Sequence, residues 1–402
     1  MKKLRKILEH IIEGVLTVSG AVTSIAILLI TIFLFKEGFG LFNTPTVENG
    51  YALYVNSKNR ISDLSVSEIK HIFDSEINNW QELGGTDREI MIFRFDEIFN
   101  IYPEEEFGED YALLPEKLGE VIVNNPDIIA FLPEKYAPSD VFGVKALATK
   151  NISFNDFFYG HEWIPTATPA PLFGVLPLIS GTLLVSILAI LIALPLGLGV
   201  AIYLSELAGE RTRKFMKPTI ELLAGIPSVV YGFFGLVVLV PIVQKTFSLP
   251  VGETAFTGSL ILAIMALPTI ITVAEDAMRN TPRTMREASL ALGATHWQTV
   301  YRVVIPYSVS GISAAVVLGI GRAIGETMAV LMVTGNAAVI PHSVFDSVRT
   351  IPATIAAELG EAPAGEAHYQ SLFMLGCILF VITMIISITA EVISKRQPSK
   401  GV

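Results

Sequence analysis

The chain has 402 residues, of which 51% are hydrophobic and 16% charged, and its mean hydropathy is +0.57. That balance is typical of a membrane protein. The formal net charge of −10 argues against nucleic acid as a partner. The single cysteine, Cys377, excludes an intrachain disulfide framework and a cysteine-rich metal site.

Basic residues Lys2, Lys3, Arg5 and Lys6 precede an uncharged run at 14–35, GVLTVSGAVTSIAILLITIFLF. A cleaved signal peptide has an apolar region of only about 7–15 residues, closed by a small-residue cleavage site. Here the run is longer and Lys36-Glu37 follows it. It therefore reads as an uncleaved anchor, which at ~1.5 Å per residue is long enough to cross a ~30 Å hydrocarbon core. Residues 1–43 thus form a cytoplasmic N-terminus and a first membrane helix.

Residues 44–153 hold no run of spanning length, and acidic residues dominate there. Tyr51–Val55 and Glu89–Phe93 have strand patterning, and Val66–Phe73 reads as a short helix capped by Ser65. A second helix is expected at Pro115–Val123, with proline in its first position. About a hundred residues of this kind make one small α/β domain. The following stretch, FNDFFYGHEWIP (154–165), is aromatic and suits a membrane–water interface.

Five further apolar segments lie near 174–204, 219–243, 258–274, 303–334 and 371–393. Pro195, Gly197 and Gly199 interrupt the first; Gly225, Pro227 and Gly232 mark the second, and Pro227 is a candidate hinge. Such breakers are tolerated where neighbouring helices satisfy the freed backbone groups. Six crossings put both termini on one side. The loops predicted to be inside hold Arg211, Arg213, Lys214 and Lys217, then Arg279, Arg283, Arg286 and Arg302, then Lys395, Arg396 and Lys400. The short outside loops offer only Lys245 and Arg349. The positive-inside rule places both termini in the cytoplasm and residues 44–153 outside. The expected fold class is an all-α polytopic membrane protein of six transmembrane helices with an inserted extracytoplasmic α/β domain. The core is 154–396 and the cytoplasmic tail 397–402.

Between the fourth and fifth segments a cytoplasmic helix is expected at 282–293. Thr281 suits the N-cap and Pro282 the first helical position. Met285, Ala288, Ser289 and Leu292 share one small apolar face, and Gly293 suits a left-handed helix end. Lipid headgroups or a groove on a protein partner are the two surfaces such a helix can meet; its short length and modest apolar face favour the groove. In the fifth segment, Arg322 and Glu326 are four apart, share a helix face and can pair. Gly321 and Gly325 have the small-xxx-small spacing that lets another helix approach closely. An ionisable pair inside a membrane segment either ties the bundle together or lines a path for charged cargo, and arginine suits oxyanions. Glu206, Glu275 and Asp276 lie at cytoplasmic helix ends and read as solvated flanking charges.

The run Glu287-Ala288-Ser289, then Gly293, then Val303, Ile305 and Pro306 resembles the EAA signature (E-A-A-x-x-x-G, a spacer, I-x-L-P) of the permeases of ABC importers. Ser289, Val303 and Ile305 depart from the strict consensus, all conservatively. The stretches FGVLPLISGTL (173–183), GIPSVVYG (225–232) and GRAIGETMAV (321–330) are similar to those of the phosphate-specific permeases, and the ending GETMAV to the subunit lettered C. The likeness covers roughly 1–43 and 154–396. It implies a type I ABC importer permease fold and a transmembrane subunit of an ATP-driven phosphate importer. It also implies that Arg286, Glu287, Ala288 and Gly293 couple the chain to an ATPase, and that Arg322, Glu326 and Thr327 line the translocation path. The partners implied are a homologous permease subunit, an ATPase subunit dimer, an extracytoplasmic phosphate-binding protein and membrane lipid. ATP and Mg would sit on the ATPase subunits. This chain has no G-x-x-x-x-G-K-[ST] loop and no nucleophile or H-E-x-x-H motif, so no catalytic residue, bound cofactor or metal is expected on it.

Within the insert, 61–85 resembles the stretch of periplasmic phosphate-binding proteins where a helix leads to I-x-N-W and a Gly-Gly turn, and Asn125–Phe131 resembles a later segment. In that family an R-x-D turn is followed by Ser-Gly-Thr donors to phosphate. Here Arg94 and Asp96 are followed by Ile98, Phe99 and Asn100, so phosphate binding by the insert alone is not expected. Two rivals remain at this stage: a permease for another oxyanion such as sulfate or molybdate, and a membrane receptor with an external sensing domain. A receptor would not need the docking helix.

Overall fold

The computed structural model describes residues 2–395. The tail 397–402, with Arg396 and Lys400, lies outside the described residues, and so do the side chains of Lys2, Lys3, Arg5 and Lys6. Among the described residues six helices are long and apolar enough to cross a membrane: Ile12–Asn43, Leu176–Leu207, Ser228–Phe247, Ala255–Arg279, His296–Gly325 and Ala367–Thr389. The chain divides into two compact units.

The first unit comprises 1–160, 164–174 and 362–377. It begins with α1 (Lys2–Gly40), whose last turns pack on the start of the final helix: Phe33 meets Phe373 edge-on at 5.5 Å, and Cys377 Sγ donates to the Leu34 carbonyl at 3.4 Å. Small residues permit that approach. A Cβ on Gly38 would lie 3.1 Å from the Met374 backbone. Such packing replaces the hydrophobic effect as the force between helices in lipid.

The same unit holds the α/β domain, whose sheet joins β1 (Tyr51–Asn56), β2 (Met91–Arg94), β3 (Ile128–Pro133) and β4 (Val144–Ala146) in the order β2-β3-β1-β4. β1 is antiparallel to β3 and β4, and β2 is parallel to β3. α2 (Val66–Phe73) starts at Ser65 with a reciprocal capping box to Glu68, and Ile69 and Ile72 on its buried face are fully covered. α3 (Leu114–Asn124) has proline in its first turn and covers the other face of the sheet with Leu118 and Ile122. Two apolar clusters result, one around Trp80 and Leu53 and the other around Phe93 and Phe107. The expected strand at Glu89–Phe93 is displaced to 91–94, because before it the Trp80 N–H donates to the Arg88 carbonyl and the Ile90 N–H to the Asn78 carbonyl. The insert's two ends meet: Pro45 bridges Asn151, and Ile152 N–H donates to the Thr44 carbonyl at 3.3 Å.

The second unit comprises 161–163, 175–361 and 378–402. It contains α4 (Leu176–Ile202), α5 (Glu210–Ala224), α6 (Ser228–Phe234), α7 (Val240–Phe247) and α8 (Ala255–Arg279). Then come α9 (Arg283–Ala291), α10 (His296–Thr299), α11 (Ile305–Gly325), α12 (Met328–Val333) and α13 (Ile351–Glu358), and the last helix, α14 (Ala367–Lys395), passes from the first unit into the second. α8 is central, packing on both α4 and α11. Its Ile270 fits between Gly197 of α4 and Gly319 of α11, where an added Cβ would stand 2.8 Å from it in each case.

Two expected segments are broken. The one drawn at 219–243 stops at Gly225 and resumes at Ser228, because Pro227 is extended (ψ 142°) and serves as the N-cap of α6. The one drawn at 303–334 stops at Gly325. Glu326 is extended (φ −73°, ψ 132°), and its carboxylate accepts the Thr327 backbone N–H at 3.2 Å, so the chain restarts as α12.

Candidate functional site

Two features of the second unit carry the chemistry: the charged end of α11 and the short helix α9. Arg322 lies in the last turn of α11, half-buried. Its Nη1 donates to Thr269 Oγ1 of α8 at 3.2 Å. Among the described residues no carboxylate lies within 4.0 Å of that guanidinium. The expected pairing with Glu326 is therefore absent, since the break after Gly325 removes the helical spacing that would have aligned the two. Glu326 and Thr327 stay beside Arg322 in the chain, both half-buried, in the short irregular link between α11 and α12. Gly321 and Gly325 face open space, with nothing within 4 Å of an added Cβ. Within this chain the close helix approach is made instead by Gly319. Thr269 was not anticipated from sequence. Its only signal is a hydroxyl directly after Pro268, in a helix that carries other hydroxyls at Thr257, Ser259 and Thr272.

α9 spans Arg283–Ala291, inside the expected 282–293, with Pro282 rather than Thr281 as its N-cap. Thr281 is buried, and its hydroxyl meets Ser308 Oγ of α11 at 3.1 Å. Ser308 in turn donates to the Ala277 carbonyl of α8. At the far end Gly293 takes φ +84°, the left-handed conformation, and its N–H returns to the Leu290 carbonyl at 2.9 Å. Ser289 Oγ and Thr299 Oγ1, 3.0 Å apart, hold α9 against α10. Met285, Ala288, Ser289, Leu292 and Gly293, together with Gln298, Arg302 and Val303, line an open concavity of about 820 Å³. Glu287, Ala288 and Gly293 are exposed, and Leu292 is 90% exposed. Arg286 does not share that outward face. Its guanidinium turns inward to Glu206 Oε1 at 2.7 Å and the Met278 carbonyl at 2.9 Å.

Around that contact lies a network that corrects the reading of Glu206 and Glu275 as solvated flanking charges. The Glu206 side chain is only 5% exposed. It sits in a π-helical turn, Tyr203–Leu207, that ends the spanning segment of α4. The carbonyls this turn leaves unpaired are taken by Arg213 of α5, which donates to Leu204 and Ser205. Glu275 of α8 is 1% exposed, with Lys217 Nζ at 3.0 Å, Arg279 at 3.6 Å and Arg213 at 3.8 Å. Asp276 remains exposed but pairs with Lys217 at 2.8 Å. Burial works against the charge on Lys217, yet hydrogen bonding to Asp276 and the adjacent Glu275 more than offset it and raise its pKa. The sequence signal for these buried pairs was weak, because a carboxylate at a helix end looks the same whether it meets water or a cation from a helix distant in the chain.

In the insert, Arg94 stacks over the Phe73 ring at 5.5 Å, and the residues after it, Ile98–Ile101, form a helical turn with Ile98 fully buried. A small concavity lined by Glu89, Ile90, Met91, Asn125, Pro126 and Asp127 has an acidic rim.

Residues 193–397 match the family described as binding-protein-dependent transport system inner membrane component. A Bacillus subtilis (strain 168) protein named probable ABC transporter permease protein YqgH is 40% identical over 257 residues, covering 64% of this chain and 83% of the relative. The phosphate transport system permease protein PstC of Mesorhizobium japonicum is 41% identical over 271 residues, covering 63% of this chain and 81% of the relative. Among solved structures, a chain of the inward-facing MetNI methionine ABC transporter is 18% identical with a TM-score of 0.42, covering 56% of this chain and 94% of that one.

Proposed function

Since the chain belongs to the binding-protein-dependent transport family of inner membrane components, we propose that it is the permease subunit of an ATP-driven phosphate importer and forms part of the translocation path. The relatives named as phosphate permeases support the cargo. The observation that carries the chemistry is Arg322: a guanidinium within a span, held by a neutral hydroxyl rather than by a carboxylate. Its positive charge thus stays available to an oxyanion, which a geometry of five N–H donors suits. Glu326 and Thr327 form the adjoining link, the acid limiting how tightly phosphate is held and the hydroxyl offering a donor. Pro227 separates two helices that can turn about it.

In this reading both termini are cytoplasmic and 44–153 is extracytoplasmic. α9 seats in a groove of an ATPase subunit through Glu287, Ala288, Gly293 and the bare side chain of Leu292. A homologous permease, two ATPases and an external phosphate-binding protein complete the assembly, and ATP with Mg is bound and hydrolysed on the ATPases. The exposed glycines Gly321 and Gly325 leave room for a helix of the second permease. Neither a permease for sulfate or molybdate nor a receptor is supported by these relatives.

The test is phosphate uptake into vesicles holding the assembled complex. Arg322→Ala, at equal expression, is expected to abolish uptake that sulfate and molybdate do not compete for. Uptake equal to that of the unaltered protein would remove Arg322 from the path, and efficient competition by sulfate would change the cargo.

A further inference from the structure

We infer that Arg286 and Glu206 form a buried mechanical link that makes α9 and α4 move as one body, so that Arg286 is a positioning residue for coupling and not an ATPase contact. This inference rests on the reading of α9 as the helix driven by an ATPase. A driven surface helix is useful only if its displacement reaches the membrane helices rather than being lost in a flexible hinge. The turns on either side of α9 are of the kind that bend: Pro282 leads in and Gly293, left-handed, leads out. Something else must make the connection.

Three contacts do so, each to a different spanning helix. Arg286 reaches Glu206 at the end of α4 and, with the same Nη2, the Met278 carbonyl near the end of α8. Ser289 of α9 meets Thr299, in the first turns of the span His296–Gly325, at 3.0 Å. Of the three, the Arg286–Glu206 contact is the charged one, at 2.7 Å, and its carboxylate is only 5% exposed. Glu206 itself cannot swing aside. Arg213 holds the two carbonyls before it, and Ser205 Oγ donates to the carboxylate at 3.0 Å. A charge pair so placed resists separation, because parting it leaves the buried Glu206 carboxylate without its cation. From Met278 the route continues along α8 to Thr269, nine residues and roughly 14 Å away at 1.5 Å per residue. Thr269 holds Arg322. The pair thus stands at one end of a continuous packed route whose other end is the proposed cargo-facing cation.

The experiment uses the full chain in the assembled transporter, with unaltered protein, Arg286→Ala, Arg286→Lys, Glu206→Gln and the exchanged pair Glu206→Arg/Arg286→Glu. Two quantities are measured: phosphate imported per ATP hydrolysed, and the distance between spin labels introduced at Thr284 of α9 and Leu196 of α4, with and without ATP. Both positions are exposed, whereas native Cys377 is buried at 2% exposure and does not compete for label. In the unaltered protein the label distance is expected to stay constant. In Arg286→Ala and Glu206→Gln it is expected to change on adding ATP, and phosphate per ATP to fall about tenfold, within the usual range of coupling between sites. ATPase subunits should remain bound. Arg286→Lys should keep part of the ratio, and the exchanged pair should regain it.

A constant label distance in Arg286→Ala, or an unaltered ratio, overturns the link. Loss of ATPase subunits from Arg286→Ala but not from Glu206→Gln would make Arg286 a docking residue, which also overturns it. If either single variant fails to accumulate, the exchanged pair decides: recovery of accumulation and ratio supports the link, and recovery of accumulation alone defeats it. The label distance needs no cargo. A complex that imports no phosphate yet shows the expected distances leaves the link standing and removes the phosphate reading instead.

Discussion

Arg322 and Thr269 show how one hydroxyl sets the state of a charge inside a membrane segment. Had a carboxylate held the guanidinium, the pair would be neutral and a poor attractant for phosphate. A threonine orients it without cancelling it. Hydrogen bonds to charged groups contribute about 1.5–3 kcal/mol net, roughly one to two decades in an equilibrium. Thr269→Val keeps the shape and removes the bond, so uptake at subsaturating phosphate is expected to fall about tenfold, with Thr269→Ser near the unaltered rate. Equal uptake by Thr269→Val would mean the guanidinium needs no such support. A second residue-scale expectation concerns Lys217, whose pKa is raised. A raised lysine contributes stability that is complete below its unfolded value, 10.5, and lost only as the pH climbs through the higher folded value. The difference in melting temperature between the unaltered protein and Lys217→Met should therefore be constant from neutral pH to about pH 9 and should shrink only in stronger alkali. These side chains also mark the limit of what the residues themselves disclose. Arg322 was recognisable as costly and therefore purposeful, but its partner was not, because Thr269 is fifty-three positions away and looks like any polar residue in a helix. Glu206 and Glu275 were misread for the same reason: their burial comes from Arg286, Lys217 and Arg213, which other helices deliver.

At the level of elements, local chemistry was the better guide. The cap at Ser65 and the left-handed glycine after α9 each depend on neighbours within a few positions and stand as read, while the proline expected first in α3 stands second, behind Leu114. The break at Glu326 was harder. Pro227 marks its own break as a candidate hinge, but Arg322 and Glu326 read as one helix face although the helix ends between them at Gly325. Gly293 supports a prediction at this scale. A side chain in the left-handed region costs about 1–2 kcal/mol, and the space around Gly293 is open, with nothing within 4 Å of an added Cβ, so Gly293→Ala adds strain without a clash. Folding should survive, while ATPase subunits recovered with the complex should fall by roughly one decade, as 1.4 kcal/mol implies. Full recovery would show that α9 docks without its fixed end. The contrast with Gly319 is instructive. There the conformation is ordinary helix and the space is not, since Ile270 lies 2.8 Å from an added Cβ, so bulk rather than strain is what the position excludes.

The whole molecule raises the question of why a permease carries an α/β domain between its first two spans. That domain has apolar clusters on both faces of its sheet, and its entering and leaving segments are bridged at Pro45 and Asn151. An insertion whose ends meet can be replaced by a short linker with little strain on what flanks it. The turn after Arg94 buries Ile98 and directs Arg94 onto Phe73, so the donors a desolvated phosphate requires are missing there. A domain whose sequence at 61–85 and 125–131 resembles a binding protein, but which lacks the Ser-Gly-Thr donors, is suited to meeting the true binding protein, and we propose that role for it. Replacing 44–151 by a short linker should then leave assembly and basal ATP hydrolysis unchanged, while uptake driven by the external binding protein falls about tenfold at low concentrations of that protein, the range typical of one lost docking surface. Raising the binding-protein concentration should recover the rate, because a docking loss weakens encounter and leaves the proposed path through Arg322 and the proposed link at Arg286 intact. Uptake that stays low at saturating binding protein would place the domain in the delivery route itself, and uptake unaffected at every concentration would make it a spacer.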